Sequence, residues 1–325
     1  NNKFLRKRYQ KYSEEPIFFK VLTDEELLRI NEVINKTYQK RRHFKDSIYI
    51  RMVKYRKVFR LHKEGLSLYE ISKEIGVSFS TIYFWFKGHH PLSQYIVPDL
   101  NWYFGYIIGA AIGDGAVSRS TIIFSWLKDK DFADAIADSA KNIGLNAWVW
   151  KKRGYQVAMS NTILADIVLI GKRHATTLLP LLLSDKDVSI GVLSGWFDAE
   201  GRSGLSQKSP YDAPRASSTN IEIINLMKAL LDNLRIHSTI IKEKSREFIS
   251  PSTKKRYKPK SEYVYSLRIR RCCVVRFKHI IGFRIKRKQE ELVKLTNTKF
   301  KHICPIQPST PPSFLIKLNN EKQNQ

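Results

Sequence analysis

The chain has 325 residues, 42% of them hydrophobic, which suits two or three folded domains with a sizeable core. Its 57 Lys+Arg against 30 Asp+Glu leave a net charge of +27, and a surplus that large predicts a polyanionic partner, foremost nucleic acid. No apolar run nears the ~20 residues of a membrane span, while three cysteines without a CxxC pair and no secretory signal speak against zinc, disulfides and export and predict an intracellular setting, the cytoplasm or a host organelle.

Residues 1–48 read as a basic arm (Lys3, Arg6, Lys7, Arg8, Lys11) and one helix. Thr23-Asp24-Glu25-Glu26 is a capping box, and Leu27, Leu28, Ile30, Val33 and Ile34 carry the apolar face to about Gln39. Residues 49–90 predict three helices, over 52–62, 68–75 and 80–87, the last two joined by Gly76-Val77-Ser78. Two helices about a short turn containing glycine form the helix-turn-helix pattern, whose recognition helix enters the major groove. Ile71, Ile75, Val77, Ile82 and Trp85 would be its core; Ser78, Ser80, Thr81, Tyr83 and Lys87 would meet DNA. His89-His90 beside Pro91 reads as a solvated loop, and 91–100, with Pro91 and Pro98, as a linker.

Residues 101–187 and 188–285 form two repeats. The first opens on Gly-Tyr-Ile-Ile-Gly-Ala-Ala-Ile-Gly-Asp-Gly at 105–115, the second on Gly-Val-Leu-Ser-Gly-Trp-Phe-Asp-Ala-Glu-Gly at 191–201. They register at an offset of 86 (200 − 114) on small, acidic and glycine positions. Each is an apolar helix with small residues every fourth position, Gly105, Gly109 and Gly113 in one, Gly191, Gly195 and Ala199 in the other. They share one face, as helices in close contact require. Gly115 and Gly201 are expected as left-handed caps. Asp114 and Glu200 sit in the last turns, where the helix dipole already concentrates negative charge. Brought together, the two carboxylates raise each other's pKa, and a hard divalent cation such as Mg²⁺ removes the conflict.

After the first motif the pattern predicts a strand over 121–124, a helix over 129–142 capped by Gly144, strands over 147–150 and 155–159 about the turn Lys151-Lys152-Arg153-Gly154, and a helix over 161–170. After the second it predicts a helix over 220–234, strands over 238–241 and 263–271, and a helix over 274–281, with a basic loop or hairpin inserted at 242–262. Val264, Leu267 and Ile269 are expected inward on the last strand, Arg268 and Arg270 outward. Residues 286–325 are a basic tail, helical at first, then rich in Pro, Ser, Asn and Gln.

The paired motifs resemble the LAGLIDADG homing endonucleases in their single-chain, two-motif form, over about residues 100–285. The likeness is close in Leu193–Gly201 and looser at the start of Ile107–Gly115. It implies an α+β fold: two pseudo-symmetric αββαββα repeats forming a DNA-binding saddle, here preceded by an all-α helix-turn-helix domain. It further implies a monomer with internal pseudo-twofold symmetry that cleaves both strands of a long, asymmetric DNA target. The cofactor would be two or three Mg²⁺ ions, replaceable by Mn²⁺ or Ca²⁺, on Asp114 and Glu200 with the backbone carbonyls of Gly113 and Ala199. The family's polar and basic assisting positions fall near Trp126 or Lys128 and Met159 in the first repeat, and near Ser217 and Arg270 in the second. Its usual glutamine is absent, so Arg270 and Lys128 stand as the basic assistants, with Lys151 and Lys208 as substitutes. Lys151, Lys152, Arg153, Lys208 and Arg268 are the expected DNA contacts of the sheets. A non-catalytic DNA-binding regulator and an intron RNA maturase are the alternatives such a chain admits; an intron-encoded or free-standing protein is expected over an intein.

Overall fold

The computed structural model describes residues 14–38, 47–93, 95–205, 213–245, 247–249, 256–257, 259 and 261–299. The basic arm residues Lys3 to Lys11, Lys208, Cys304 and the segment 305–325 lie outside the described residues.

Helix α1 (Ile17–Lys20) leads into α2 (Asp24–Tyr38), opened by the predicted capping box: Thr23 N–H donates to Glu26 Oε2 at 2.8 Å, and Glu26 N–H donates to Thr23 Oγ1 at 3.2 Å. Helix α3 (Ile48–Lys63) starts on a Ser47 cap. The two ends of α3 serve different cores. Ile48, Tyr49 and Met52 pack with Phe18, Phe19 and Leu27 into the main core. Val58 and Leu61 pack with Ile71, Ile82 and Trp85 in a small core shared with α4 (Leu68–Ile75) and α5 (Phe79–Phe86). Between α4 and α5, Gly76 takes φ 66°, a left-handed cap that an L side chain disfavours. Arg56 ties the two units, its guanidinium donating to Glu15, Asp24 and the carbonyls of Phe19 and Leu22. The segment expected as a linker is docked: Leu92 and Val97 are buried, and Asn161 Nδ2 donates to the Ile96 carbonyl at 2.8 Å. His90, expected in solvent, is buried against the Tyr55 ring, and burial pushes its pKa down to about 4.

The first repeat runs α6 (Trp102–Asp114), β1 (Gly115–Ser118), β2 (Thr121–Leu127), α7 (Lys130–Asn142), β3 (Ala147–Lys151), β4 (Tyr155–Ser160) and α8 (Thr162–Arg173). A 3-10 turn and α9 (Leu179–Leu183) connect to the second repeat. That repeat runs α10 (Lys186–Glu200), β5 (Gly201–Arg202), β6 (Arg215–Ser218), α11 (Ile221–Asn233) and β7 (Ser238–Lys244). A small hairpin, β8 (Phe248–Ile249) with β9 (Arg256–Tyr257), lies within the expected basic insertion. β10 (Tyr263–Ile269), α12 (Val274–Ile280) and α13 (Lys286–Lys299) follow. The result is an α+β protein with two antiparallel four-stranded sheets, ordered β1-β2-β4-β3 and β5-β6-β10-β7. Among the described residues no helix is long and apolar enough to cross a membrane.

Three expectations are corrected. Strands β1, β5 and β6 went unpredicted; in β1 only Gly115 of its four residues is buried and no alternating pattern marks it. Gly115 and Gly201 are extended, at φ −78° and −87°, not left-handed. Each opens a strand, and glycine is needed there for space: a Cβ on Gly115 would lie 2.7 Å from Ala111 Cα. On β10, Val264 shares the face of Arg268, while Tyr265, Leu267 and Ile269 alternate to the other face.

Candidate metal and nucleic-acid site

Helix α6 is wholly buried over Phe104–Ile112, and α10 buries Gly191 to Asp198. The small residues let the backbones touch. A Cβ on Gly109 would fall on the Val192 carbonyl, and one on Gly195 would fall on that of Tyr106. Gly105 meets Val188 in the same way, and Gly191 meets Trp102. Each contact is the reciprocal of another at the same offset of 86 (192 − 106, 188 − 102). Glycine in a helix interior costs about 1 kcal/mol against alanine; here any methyl would drive the two backbones apart.

The crossing ends where the acids are. A Cβ on Gly113 would stand 2.5 Å from the Ala199 Cβ and 3.6 Å from Glu200 Oε1, so the Glu200 carboxyl lies beside the residue that precedes Asp114. Both acids are exposed by surface area, yet enough protein surrounds each carboxyl that desolvation pushes its pKa above the ordinary range. Asp114 raises Glu200 further.

Two lysines oppose that shift, and sequence reading missed both. Lys172 Nζ donates to the Ile112 carbonyl at 2.9 Å and to that of Gly113 at 3.4 Å. Lys288 Nζ donates to the Asp198 carbonyl at 2.5 Å and to that of Phe197 at 3.5 Å. Ile112 and Asp198 are equivalent positions (198 − 112 = 86). Each motif helix thus has an ammonium on its terminal carbonyls, where a cation complements the dipole. Burial lowers the pKa of both lysines and the acids pull it back up, Glu200 and Asp114 at Lys172, Asp198 and Asp114 at Lys288. Lys172 is placed by Gly171, whose bare Cα lets α8 close on the Ile112 side chain. Lys288 is placed by Asp198, whose carboxyl accepts from the Tyr106 hydroxyl at 2.7 Å and from the backbone N–H groups of Arg284 and Ile285, fixing the entry to α13. Desolvation pushes the Asp198 pKa up to about 6 against those hydrogen bonds. The only sequence signal was weak: a lysine just past the last apolar stretch of each repeat.

The donor set fits a hard divalent ion in part. Two carboxylates converge, but among the described residues no group of three or more His, Cys, Asp and Glu forms. Remaining ligands must come from water, substrate oxygens and backbone. The Gly113 carbonyl already faces the Lys172 ammonium.

Residues 187–282 match the LAGLIDADG-like domain. Over 265 residues it is 29% identical to the uncharacterized protein MJ0398 of Methanocaldococcus jannaschii, covering 74% of this chain and 92% of that one. Among solved structures it is similar to I-DmoI in complex with DNA and Ca, at 17% identity, 55% of this chain, 88% of that chain and a TM-score of 0.38. Full-length DUF199/WhiA from Thermatoga maritima aligns at 15% identity over 68% of this chain and 67% of its own, also with a TM-score of 0.38.

Ser217 lines a shallow cavity with Glu200, Lys172, Gly113 and Val264. Arg270 is not among the residues that line it. It directly follows β10, three residues past Leu267, which aligns through Ala216 with Gly201 at the end of α10. Lys172 and Lys288 pull the pKa of both acids down. Arg268 lies in β10, and Lys151, Lys152 and Arg153 are exposed at the β3–β4 turn. Met159 is buried, and Trp126 stands in a bulge of β2. In the three-helix unit, Ser78 caps α5 and its hydroxyl bonds those of Thr81 at 2.7 Å and Ser80 at 3.2 Å, so these three first serve the helix start. Tyr83 is exposed, with Lys87 Nζ 5.5 Å from its ring centroid.

Proposed function

We propose that this protein is a divalent-metal-dependent endonuclease that cuts both strands of a specific DNA duplex. The observation that carries this reading is the pair of acids, Asp114 and Glu200, at the foot of two backbone-contacting helices, each helix end holding its own lysine. Asp114 and Glu200 would hold the metal, which when bound supplies an activated water and charge stabilisation for phosphodiester hydrolysis. Lys172 and Lys288 flank the acids with positive charge where a phosphate would enter. The +27 charge supports a polyanionic substrate, and the two sheets supply two broad surfaces for one. The unit α3–α5 fits a helix-turn-helix that adds affinity through Tyr83 and Lys87. The twofold recurrence of contacts supports a monomer in which the two halves address the two strands, inside the cell of its host.

The test incubates the full chain with duplex DNA of its host locus, the intervening element removed, in Mg²⁺ and in Ca²⁺. Paired, staggered cuts in Mg²⁺ are expected. Tight binding without cleavage in any divalent ion would leave a DNA-binding regulator, and preference for intron RNA a maturase.

A further inference from the structure

A cavity of about 510 Å³ opens where the three-helix unit meets the chain that leads into the first repeat. Helix α3 brings Arg51 and Lys54 to it, the α4–α5 turn brings Ser78, α5 brings Thr81, and the chain after α5 brings His89 and His90. Among the described residues that line it, none is acidic. Cationic side chains and hydroxyls converging without a carboxylate form the donor set of an anion site, and a guanidinium fork matches the oxygens of a phosphate.

The cavity lies away from the surface offered to duplex DNA. At ~100° of turn per residue, Thr81 and Trp85 stand about 160° round α5 from Tyr83 and Lys87. Trp85 lines the cavity, while Tyr83 and Lys87 do not. A duplex lying on Tyr83 and Lys87 therefore faces away from it, and the occupant is a separate molecule. Its volume falls within the roughly 300–1,000 Å³ of sites for small organic ligands, more than an inorganic phosphate fills. The rings of Trp85, His89 and His90 on the same lining suit a planar group beside the phosphate.

The walls also belong to two bodies. Arg51 stands on α3 beside Met52, which is part of the main core. Thr81 stands beside Ile82, which is part of the small core. One ligand held by both would brace the three-helix unit against the rest of the protein.

We propose that this cavity binds a small organic phosphate with a planar ring, of the nucleoside-monophosphate class, and that Arg51, Ser78 and Thr81 hold its phosphate. This goes beyond the endonuclease reading and does not depend on it.

The experiment titrates adenosine monophosphate into the full chain by calorimetry at fixed ionic strength, beside adenosine and inorganic phosphate. The expected result is saturable one-to-one binding of the monophosphate, with adenosine and inorganic phosphate each at least about tenfold weaker. Arg51→Gln should weaken the monophosphate about tenfold, as loss of one charge-assisted hydrogen bond does. On the unsubstituted chain, saturation should slow amide hydrogen exchange in residues 76–81 and 89–93, which locates the site without a variant. Duplex DNA should bind beside the monophosphate, and Arg51→Gln without the monophosphate should keep the parent's duplex affinity. No saturable binding, binding that Arg51→Gln leaves unchanged, or exchange protection elsewhere overturns the proposal. Displacement of the monophosphate by duplex, or weaker duplex binding by Arg51→Gln, also overturns it, because the anion in the cavity would then be a backbone phosphate.

Discussion

In the first repeat an ammonium from α8 reaches the carbonyl of Ile112; in the second, one from α13 reaches the carbonyl of Asp198, 86 positions on. The target carbonyl is equivalent, but the lysines are not: they stand 116 residues apart (288 − 172), one at the end of its own repeat's helix and the other two helices beyond β10. The same cation is delivered to the same place by different pieces of chain. The repeats therefore agree where the motif helices touch and diverge with distance from that contact. The axis is held by backbone against backbone, which tolerates no substitution. The outer strands answer only to what lies on them.

The largest effects should come from the shared centre. Asp114→Asn and Glu200→Gln should each lower double-strand cleavage by on the order of 10³-fold, the scale of losing metal-borne charge stabilisation, while duplex affinity changes only a few-fold. Cleavage assays run beside binding isotherms check this. A cleaving variant would remove that acid from the metal site. Equal losses in both variants would make the halves equivalent in chemistry; a variant that accumulates nicked DNA would make them separable.

Lys172→Met and Lys288→Met probe the convergent cations. Each should slow cleavage about 10²-fold, as loss of one preorganised charge does, and each should act chiefly on one strand, so that nicked circles build up before linear product. Lys288 is the more deeply buried and its helix is anchored through Asp198, so its loss should also lower the melting temperature more than that of Lys172. Strand-resolved kinetics with no nicked intermediate for either variant would show that neither lysine belongs to one strand.

Gly109→Ala and Gly195→Ala test the part that agrees. A methyl at either site meets a backbone carbonyl that cannot turn aside, and overpacking of this kind costs about 1–3 kcal/mol or more. The two variants should lose stability alike in chemical denaturation, because the contacts are reciprocal. A large difference between them would mean that the crossing is less symmetric than its glycines.

How much of this was legible in the chain follows the same gradient. The helix crossing was readable because small residues at a four-residue spacing leave a mark that no other structure needs. The acid pair followed from its register. The central strands emerged from alternation; β1, whose Gly-Ala-Val-Ser carries none, and the short β5 and β6 did not. Lys172 and Lys288 were hidden because a lysine among 57 basic residues has no local signature; only the tertiary path of α8 and α13 selects them.

The smallest effect should come from outside both repeats. Residues α3–α5 form a separate small core, yet the start of α3 is built into the main one and Arg56 bridges the two. Removing the unit would therefore strip Ile48, Tyr49 and Met52 from the protein, and a deletion would confuse lost contacts with lost folding. Substitution on α5 avoids that. Tyr83 is exposed and Lys87 stands over its ring, so Tyr83→Ala with Lys87→Ala removes an aromatic and a charge without touching Ile82 or Trp85. One phosphate contact and one aromatic contact are together worth about 1–2 kcal/mol, so duplex affinity should fall by roughly tenfold, with a shallower salt dependence. The footprint should retreat at one end while the cut positions stay fixed, because the acids and both lysines are untouched. If the cuts moved instead, the three-helix unit would be setting the register of the two sheets on the duplex, and the asymmetry between the repeats would no longer be enough to orient the protein on its target.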